Sequence, residues 1–449
     1  MTRAKREINM IEGPFLKKIV VFIVPLILTG FLQCLYNAAD LMIVGHFRGE
    51  IALAAVGTTG ALTNLIVGLF MGLSVGAGVV VAHYLGAMNQ KGVERVVHSA
   101  ISIAAILGVV VGAVGLWLAP QLLRLMDTPD TVLDAAVLYI RIVFLGIPAQ
   151  MMYNYCASML RSTGDTFRPL LFLSISGLVN VALNVILVAL CGLGVEGVAI
   201  ATAVAHYLSV IMILVYMHRS EGCMHVSFSH LRLDPHIIRK ILYIGIPSGL
   251  QSSLFSLSNV LIQSTINSFG STVIAGNSAG ANLEGFLWVV GSAFAQTCMT
   301  FCSQNLGAGK KERLDPILHT CLLWSGLAQA ALSIGALLIG DSLIGFYSTE
   351  PQVVAMGLIR IGCTFPLYFT TALMETASGF LRGMGRSFQA MLISLAGVCG
   401  LRILWLYTVF PMNPTLETLY ISYPVSWAVT ALAHYLYSRV LKREMARKV

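Results

Sequence analysis

The chain has 449 residues, of which 57% are hydrophobic and only 11% charged, with a mean hydropathy of +0.82. A water-soluble fold cannot hide that much apolar surface, so soluble domains are excluded. The formal charge of +8 is not a nucleic-acid footprint, because the basic residues recur between apolar runs instead of gathering in one segment.

Apolar runs of about 18 to 25 residues, each long enough to cross a hydrocarbon core as a helix, recur along the whole sequence. The first predicted span, 17–43, holds Pro25, which should bend it, and closes on Asp40 with no small-residue cleavage site, so no signal peptide is expected. Spans at 53–81 and 94–118 follow. The fourth, 133–157, carries Asp134 at its N-terminal edge, where it suits the helix dipole. It also holds Met152 and Tyr155, candidates to line a cavity for lipophilic cations. In the fifth, 169–190, Asn180 and Asn184 are spaced i, i+4 and share one face, about 18 and 24 Å up from Arg168 at 1.5 Å per residue. Thr202, in the sixth span at 195–217, reaches a comparable height. A basic stretch at 218–238 leads to a seventh span, 239–265, containing Pro247, the counterpart of Pro25; the two prolines are candidate hinges. The remaining spans are 273–300 with Glu284, 316–339, 353–380 with Glu375, 387–409 and 416–438.

The positive charges mark topology. Arg3, Lys5, Arg6, Lys17 and Lys18 open the chain, and Arg439, Lys442, Arg443, Arg447 and Lys448 close it. Between them Lys91 and Arg95, Arg161 and Arg168, Arg219 to Lys240, Lys310 to Arg313, and Arg382 and Arg386 fall on every second connection. The opposite connections hold only Arg48 and Arg124, while Arg141, Arg360 and Arg402 fall within spans. The positive-inside rule then predicts both termini in the cytoplasm, with anionic lipid as the partner of the inner basic belt. The nine cysteines show no paired metal spacing, and Cys298 with Cys302 is expected as plain packing.

The chain repeats itself at about half its length. Lys17-Lys18-Ile19 with Pro25 is matched by Arg239-Lys240-Ile241 with Pro247, Leu85-Gly86-Ala87 by Leu306-Gly307-Ala308, and Ile140-Arg141-Ile142 by Ile359-Arg360-Ile361. Leu160-Arg161 with Gly164 is matched by Leu381-Arg382 with Gly385, and Thr202 to Leu208 by Thr430 to Leu436. Six spans per half start both halves on the same side, so the expected fold is all-α and integral to the membrane. It has about twelve transmembrane helices in two parallel-repeat six-helix bundles, as alternating access requires. The expected domains are an N-lobe at 1–217, a cytoplasmic linker at 218–238 and a C-lobe at 239–449.

A carboxylate at the centre of a membrane helix costs about 2.5 to 3.5 kcal/mol, which makes each one a functional candidate. Asp40, Asn180, Asn184 and Thr202 share the outer half of the first lobe, an oxygen-rich set suited to a small hard cation or a titrating carboxyl group. The second half keeps only the threonine, as Thr430, so this cluster belongs to one lobe. Glu284 and Glu375 are candidates for substrate or proton handling or, equally, for structural ion pairs.

The runs Asn37 to Gly45 (NAADLMIVG), Leu160 to Thr166 (LRSTGDT), Gly194 to Thr202 (GVEGVAIAT) and Leu381 to Gly385 (LRGMG), together with Asn180 and Asn184, resemble the multidrug and toxic compound extrusion (MATE) family. The resemblance covers essentially the whole chain. It implies a V-shaped pair of bundles in the bacterial plasma (inner) membrane that exports cationic or amphipathic drugs in exchange for Na+ or H+. It carries a coupling-ion site onto Asp40, Asn180, Asn184 and Thr202. The seventh span lacks the carboxylate that some members use for a site in the second lobe, and Asn184 is neutral where some members are acidic. Asp40 is therefore the only carboxylate of the cluster.

The rival class is a lipid-linked precursor flippase, against which stands the small number of basic residues within spans. No metalloprotease, pyrophosphate, nucleophile-elbow or P-loop motif is present, so neither an enzyme nor an ATP-driven pump is expected. No cofactor is expected beyond the coupling Na+ or H+, and the chain is expected to act as a monomer with lipophilic or cationic small molecules as partners.

Overall fold

The computed structural model describes residues 8–126 and 128–447, with only the backbone described at 50, 51, 53, 54, 58, 61 and 446. Arg3, Lys5, Arg6 and Lys448 of the basic pattern lie outside the described residues. The described chain is helical, with no strand among the described residues.

The first six long helices are α1 (Phe15–Gly49), α2 (Ala55–Gly86), α3 (Gln90–Leu125), α4 (Asp130–Ser162), α5 (Phe167–Leu190) and α6 (Val195–Arg219). The second six are α7 (Pro235–Asn267), α8 (Ser271–Gly307), α9 (Lys311–Leu338), the bent pair Pro351–Leu367 and Phe369–Gly383, together α10, then α11 (Ser387–Met412) and α12 (Leu416–Arg447). α1 turns into α2 at Gly49, whose φ of 77° only glycine adopts without strain. Among the described residues nine helices are long and apolar enough to cross a membrane, and α10 makes ten. α10 is not the straight span expected at 353–380. It breaks by 51° at a short 3₁₀ turn holding Pro366, which has no N–H to give to the helix ladder.

α7 and α12 have 33 and 32 residues, long enough to span, but are less apolar, in α12 for a packing reason. On α12, Ser422, Ser426, Thr430, His434 and Ser438 follow one another at every fourth position and are all buried. The stripe faces the interior of the bundle, where polar side chains bond between helices.

The described residues fall into two compact units, one of 8–9 with the described part of Val24–Gly249 and the other of Met10–Ile23 with 250–447. The chain therefore passes from one unit to the other inside α1 and inside α7, within two residues of Pro25 and of Pro247. In the first unit α4 is the central helix: Ile140, Phe144, Ile147, Met151 and Tyr155 are all fully buried. Close approach of α2 to the start of α7 depends on glycine, since a Cβ at Gly72 would lie 2.0 Å from the backbone nitrogen of Gly249. The core of the second unit is aromatic, built on Phe365, Tyr368, Tyr420, Tyr423 and Trp427.

Candidate functional site

In the first unit, Asp40 projects from the C-terminal half of α1 towards α5 and α6. Helix α5 approaches because Gly177 has no side chain: a Cβ there would fall 1.9 Å from the ring of Tyr36, one turn below Asp40. Tyr36 Oη donates to the Ser174 carbonyl at 3.3 Å, fixing the register of the two helices. Above the site, Arg48 Nη2 donates to the Val188 carbonyl at 2.5 Å. Val188 lies in a π-helical stretch, Val185–Leu190, that starts immediately after Asn184. Such wide turns free backbone carbonyls and are frequent at functional sites.

The four expected residues form one network. Asn184 Nδ2 donates to Asp40 Oδ1 at 2.5 Å, and Thr202 Oγ1 donates to Asp40 Oδ2 at 3.2 Å. Asn184 Nδ2 also reaches Asn180 Oδ1 at 3.3 Å, and Asn180 Nδ2 donates to Thr202 Oγ1 at 3.2 Å. Asn180 and Asn184 are buried, whereas Asp40 and Thr202 are half-buried. The buried Asn184 Oδ1 accepts no hydrogen bond. An orphaned amide oxygen beside a carboxylate costs free energy unless a proton donor or a cation comes to it. The donor set of carboxylate, amide and hydroxyl oxygens is that of a hard monovalent cation, and a proton on Asp40 would serve the same balance.

The second unit holds a cavity of about 300 Å³. Glu284 and Glu375 both line it, as do Arg360 and Arg402. Glu284 has the polar surroundings that its sequence neighbours do not reveal. Arg360 grips it with two parallel hydrogen bonds, Nε to Oε1 at 3.0 Å and Nη2 to Oε2 at 2.7 Å. Thr364 donates to Oε1 at 3.0 Å, Tyr368 donates to the Glu284 carbonyl at 3.0 Å, and Asn277 accepts from Arg360. Glu375 meets Arg382 at 3.4 Å on its own helix. Both glutamates are thus members of ion pairs within the cavity wall. Met152 is half-buried and Tyr155 is fully buried in α4; neither lines this cavity, which draws its aromatic wall from Trp288, Tyr423 and Trp427 instead. Thr430, the counterpart of Thr202, bonds to the Ser426 carbonyl of its own helix at 2.6 Å and packs on Gly397. Cys298 and Cys302 lie buried with their sulfurs 4.0 Å apart.

The family model described as MatE matches residues 25–186 and again 247–408, one match in each half, the two starting at Pro25 and Pro247. The chain is 24% identical over 440 residues to the probable multidrug resistance protein YoeA of Bacillus subtilis (strain 168), covering 96% of this chain and 95% of that protein. It is 25% identical over 370 residues to a protein of Shewanella oneidensis named FAD transporter, covering 80% of each. Among solved structures, the outward-facing conformation of a multidrug resistance MATE family transporter of the MOP superfamily matches with a TM-score of 0.92 at 20% identity, over 98% of this chain and 99% of that one. With a doubled family match, twelve long helices and full-length likeness to solved members, this multi-span membrane protein belongs to the MatE family of multidrug and toxic compound extrusion transporters.

Proposed function

We propose that the chain is a secondary antiporter that exports amphipathic small molecules, cationic drugs among them, in exchange for Na+ or H+ bound at Asp40. The observation that supports this reading is the closed network of Asp40, Asn180, Asn184 and Thr202 around an amide oxygen without a donor. A cation there would add a ligand to the orphaned oxygen and neutralise the carboxylate. A proton on Asp40 would instead break one of its two accepted hydrogen bonds. Either event changes how α1 is held against α5 and α6, and coupling requires only that the ion prefer one conformation over the other. Pro25 and Pro247, where the chain passes between units, are the proposed hinges. The reading includes both termini in the cytoplasm, anionic lipid against the inner basic residues and a monomeric transporter.

A lipid-linked precursor flippase is not favoured, since the matched family model and the full-length relative from Bacillus subtilis belong with multidrug extrusion. The proposal is tested by reconstituting the protein in liposomes loaded with a cationic dye, ethidium, or an anionic one, carboxyfluorescein. Sodium and proton gradients are then imposed separately. Dye export accelerated by one of the two gradients is expected; export that neither gradient moves, for both dyes, contradicts antiport.

A further inference from the structure

The repeat that places Asp40, Asn180 and Thr202 on α1, α5 and α6 places Asn259, Arg402 and Ser426 on the corresponding helices α7, α11 and α12. These three are in contact. Arg402 Nε donates to Ser426 Oγ at 2.9 Å and Nη1 donates to Asn259 Oδ1 at 3.0 Å. The same three elements thus carry a second polar contact of opposite charge, with the guanidinium on α11, the counterpart of α5, and a neutral Asn259 on α7, the counterpart of the helix that holds Asp40. Both helices also carry a π-helical stretch, Val185–Leu190 just after Asn184 in α5 and Leu395–Gly400 just before Arg402 in α11.

Arg402 is 3% exposed and, among the described residues, has no carboxylate within ion-pair distance and no partner for Nη2. The two carboxylates of the cavity are committed elsewhere, Glu284 to Arg360 and Glu375 to Arg382. Tyr423 and Trp427 offer their ring faces to Arg402, with centroids at 4.2 and 5.7 Å. Such contacts offset only part of the cost of a desolvated charge. A buried cation inside a membrane bundle with only neutral partners marks a place for an anion.

We infer that the cavity of the second unit binds an amphipathic organic anion, an aromatic carboxylate, with its acid group on Arg402 Nη2 and its ring among Trp288, Tyr423 and Trp427. The inference rests on the transport reading for the passage of such a cargo, and it narrows that cargo. A volume of about 300 Å³ lies at the lower bound of ligand pockets and suits a molecule of one or two fused rings. Guanidinium groups form strong charge-assisted hydrogen bonds with carboxylates, and Arg402 keeps one terminal nitrogen for such a bond.

The test uses the full chain in nanodiscs and radiolabelled 2-naphthoate, with 2-naphthamide and 2-naphthylmethylammonium as competitors of the same shape. Naphthoate is expected to bind at least tenfold more tightly than either competitor. Arg402→Met should weaken it tenfold or more and Arg402→Lys less. Competition by the ammonium compound at equal or better strength, or no saturable naphthoate binding to the wild-type protein, overturns the inference without need of any variant. Naphthoate binding that disappears in nanodiscs rich in phosphatidylglycerol gives the site to a lipid headgroup and overturns the cargo assignment. Gradient-driven ethidium export from the same preparation separates the two readings. Export without naphthoate binding leaves antiport standing and the anion site refuted, whereas binding without export of any dye does the reverse.

Discussion

At Asp40 the proposed coupling rests on few atoms. Its carboxylate accepts one amide and one hydroxyl hydrogen bond, and removing its charge removes the reason for an ion to bind. Asn184 contributes in two ways, as donor to Asp40 and as owner of the free amide oxygen. Asn184→Ala is therefore expected to lower the apparent affinity for the driving ion at least tenfold, read as the ion concentration that half-saturates export, while Thr202→Val lowers it less. Glu284 is a different case. Glu284→Gln leaves Arg360 buried and unpaired, which should cost about 3 to 5 kcal/mol and lower the unfolding temperature in detergent, while adding Arg360→Met should recover much of the loss. A double variant no more stable than the single one would show that the pair is not a structural clamp. Asp40, Asn180, Asn184 and Thr202 were legible in the sequence because a carboxylate in an apolar run is costly and the i, i+4 spacing fixes a face. The partners of Glu284 were not legible: Arg360, Thr364 and Tyr368 reach it from a distant helix whose rotation no periodicity in α8 records.

The helices carry their own instructions in their small residues. Gly177 lets α5 lie against the Tyr36 ring, and Gly72 lets α2 meet the start of α7 backbone to backbone. Gly177→Leu should separate α1 from α5 and abolish ion-driven export even with Asp40 in place. Gly72→Leu should reduce the yield of monodisperse protein on size exclusion in detergent; a normal elution profile and normal export would refute the close crossing. Spans were legible wherever a helix faces lipid over much of its surface. α12 is more ambiguous because its serine, threonine and histidine stripe is turned inward and lowers the hydropathy without exposing those residues to lipid. The break in α10 follows from Pro366, which a hydropathy reading counts as one mildly polar residue and not as a missing hydrogen bond.

For the whole molecule the duplication is structural and the charge is not duplicated. Each half matches the family model once, yet equivalent helices present a carboxylate network in the first unit and a guanidinium in the second. Sequence comparison of the halves exposed the loss of the carboxylate. It did not expose the gain of an arginine site, since Arg402 reads as an isolated charge until Asn259 and Ser426 come beside it. The orientation proposed from the basic residues is open to chemical labelling. In single-cysteine variants of intact cells, an impermeant maleimide should label Cys191, which is exposed between α5 and α6, and should reach Cys223 after α6 only once the membrane is permeabilised. The reverse pattern would invert the topology.

The central claim is that the driving ion acts through Asp40. Its most direct measurement is cargo export from proteoliposomes under an imposed sodium or proton gradient, comparing the wild-type protein with Asp40→Asn at equal reconstitution. One gradient should accelerate export by the wild-type protein, and the variant should run at the rate of empty liposomes. Gradient-driven export by Asp40→Asn at the wild-type rate would contradict the claim.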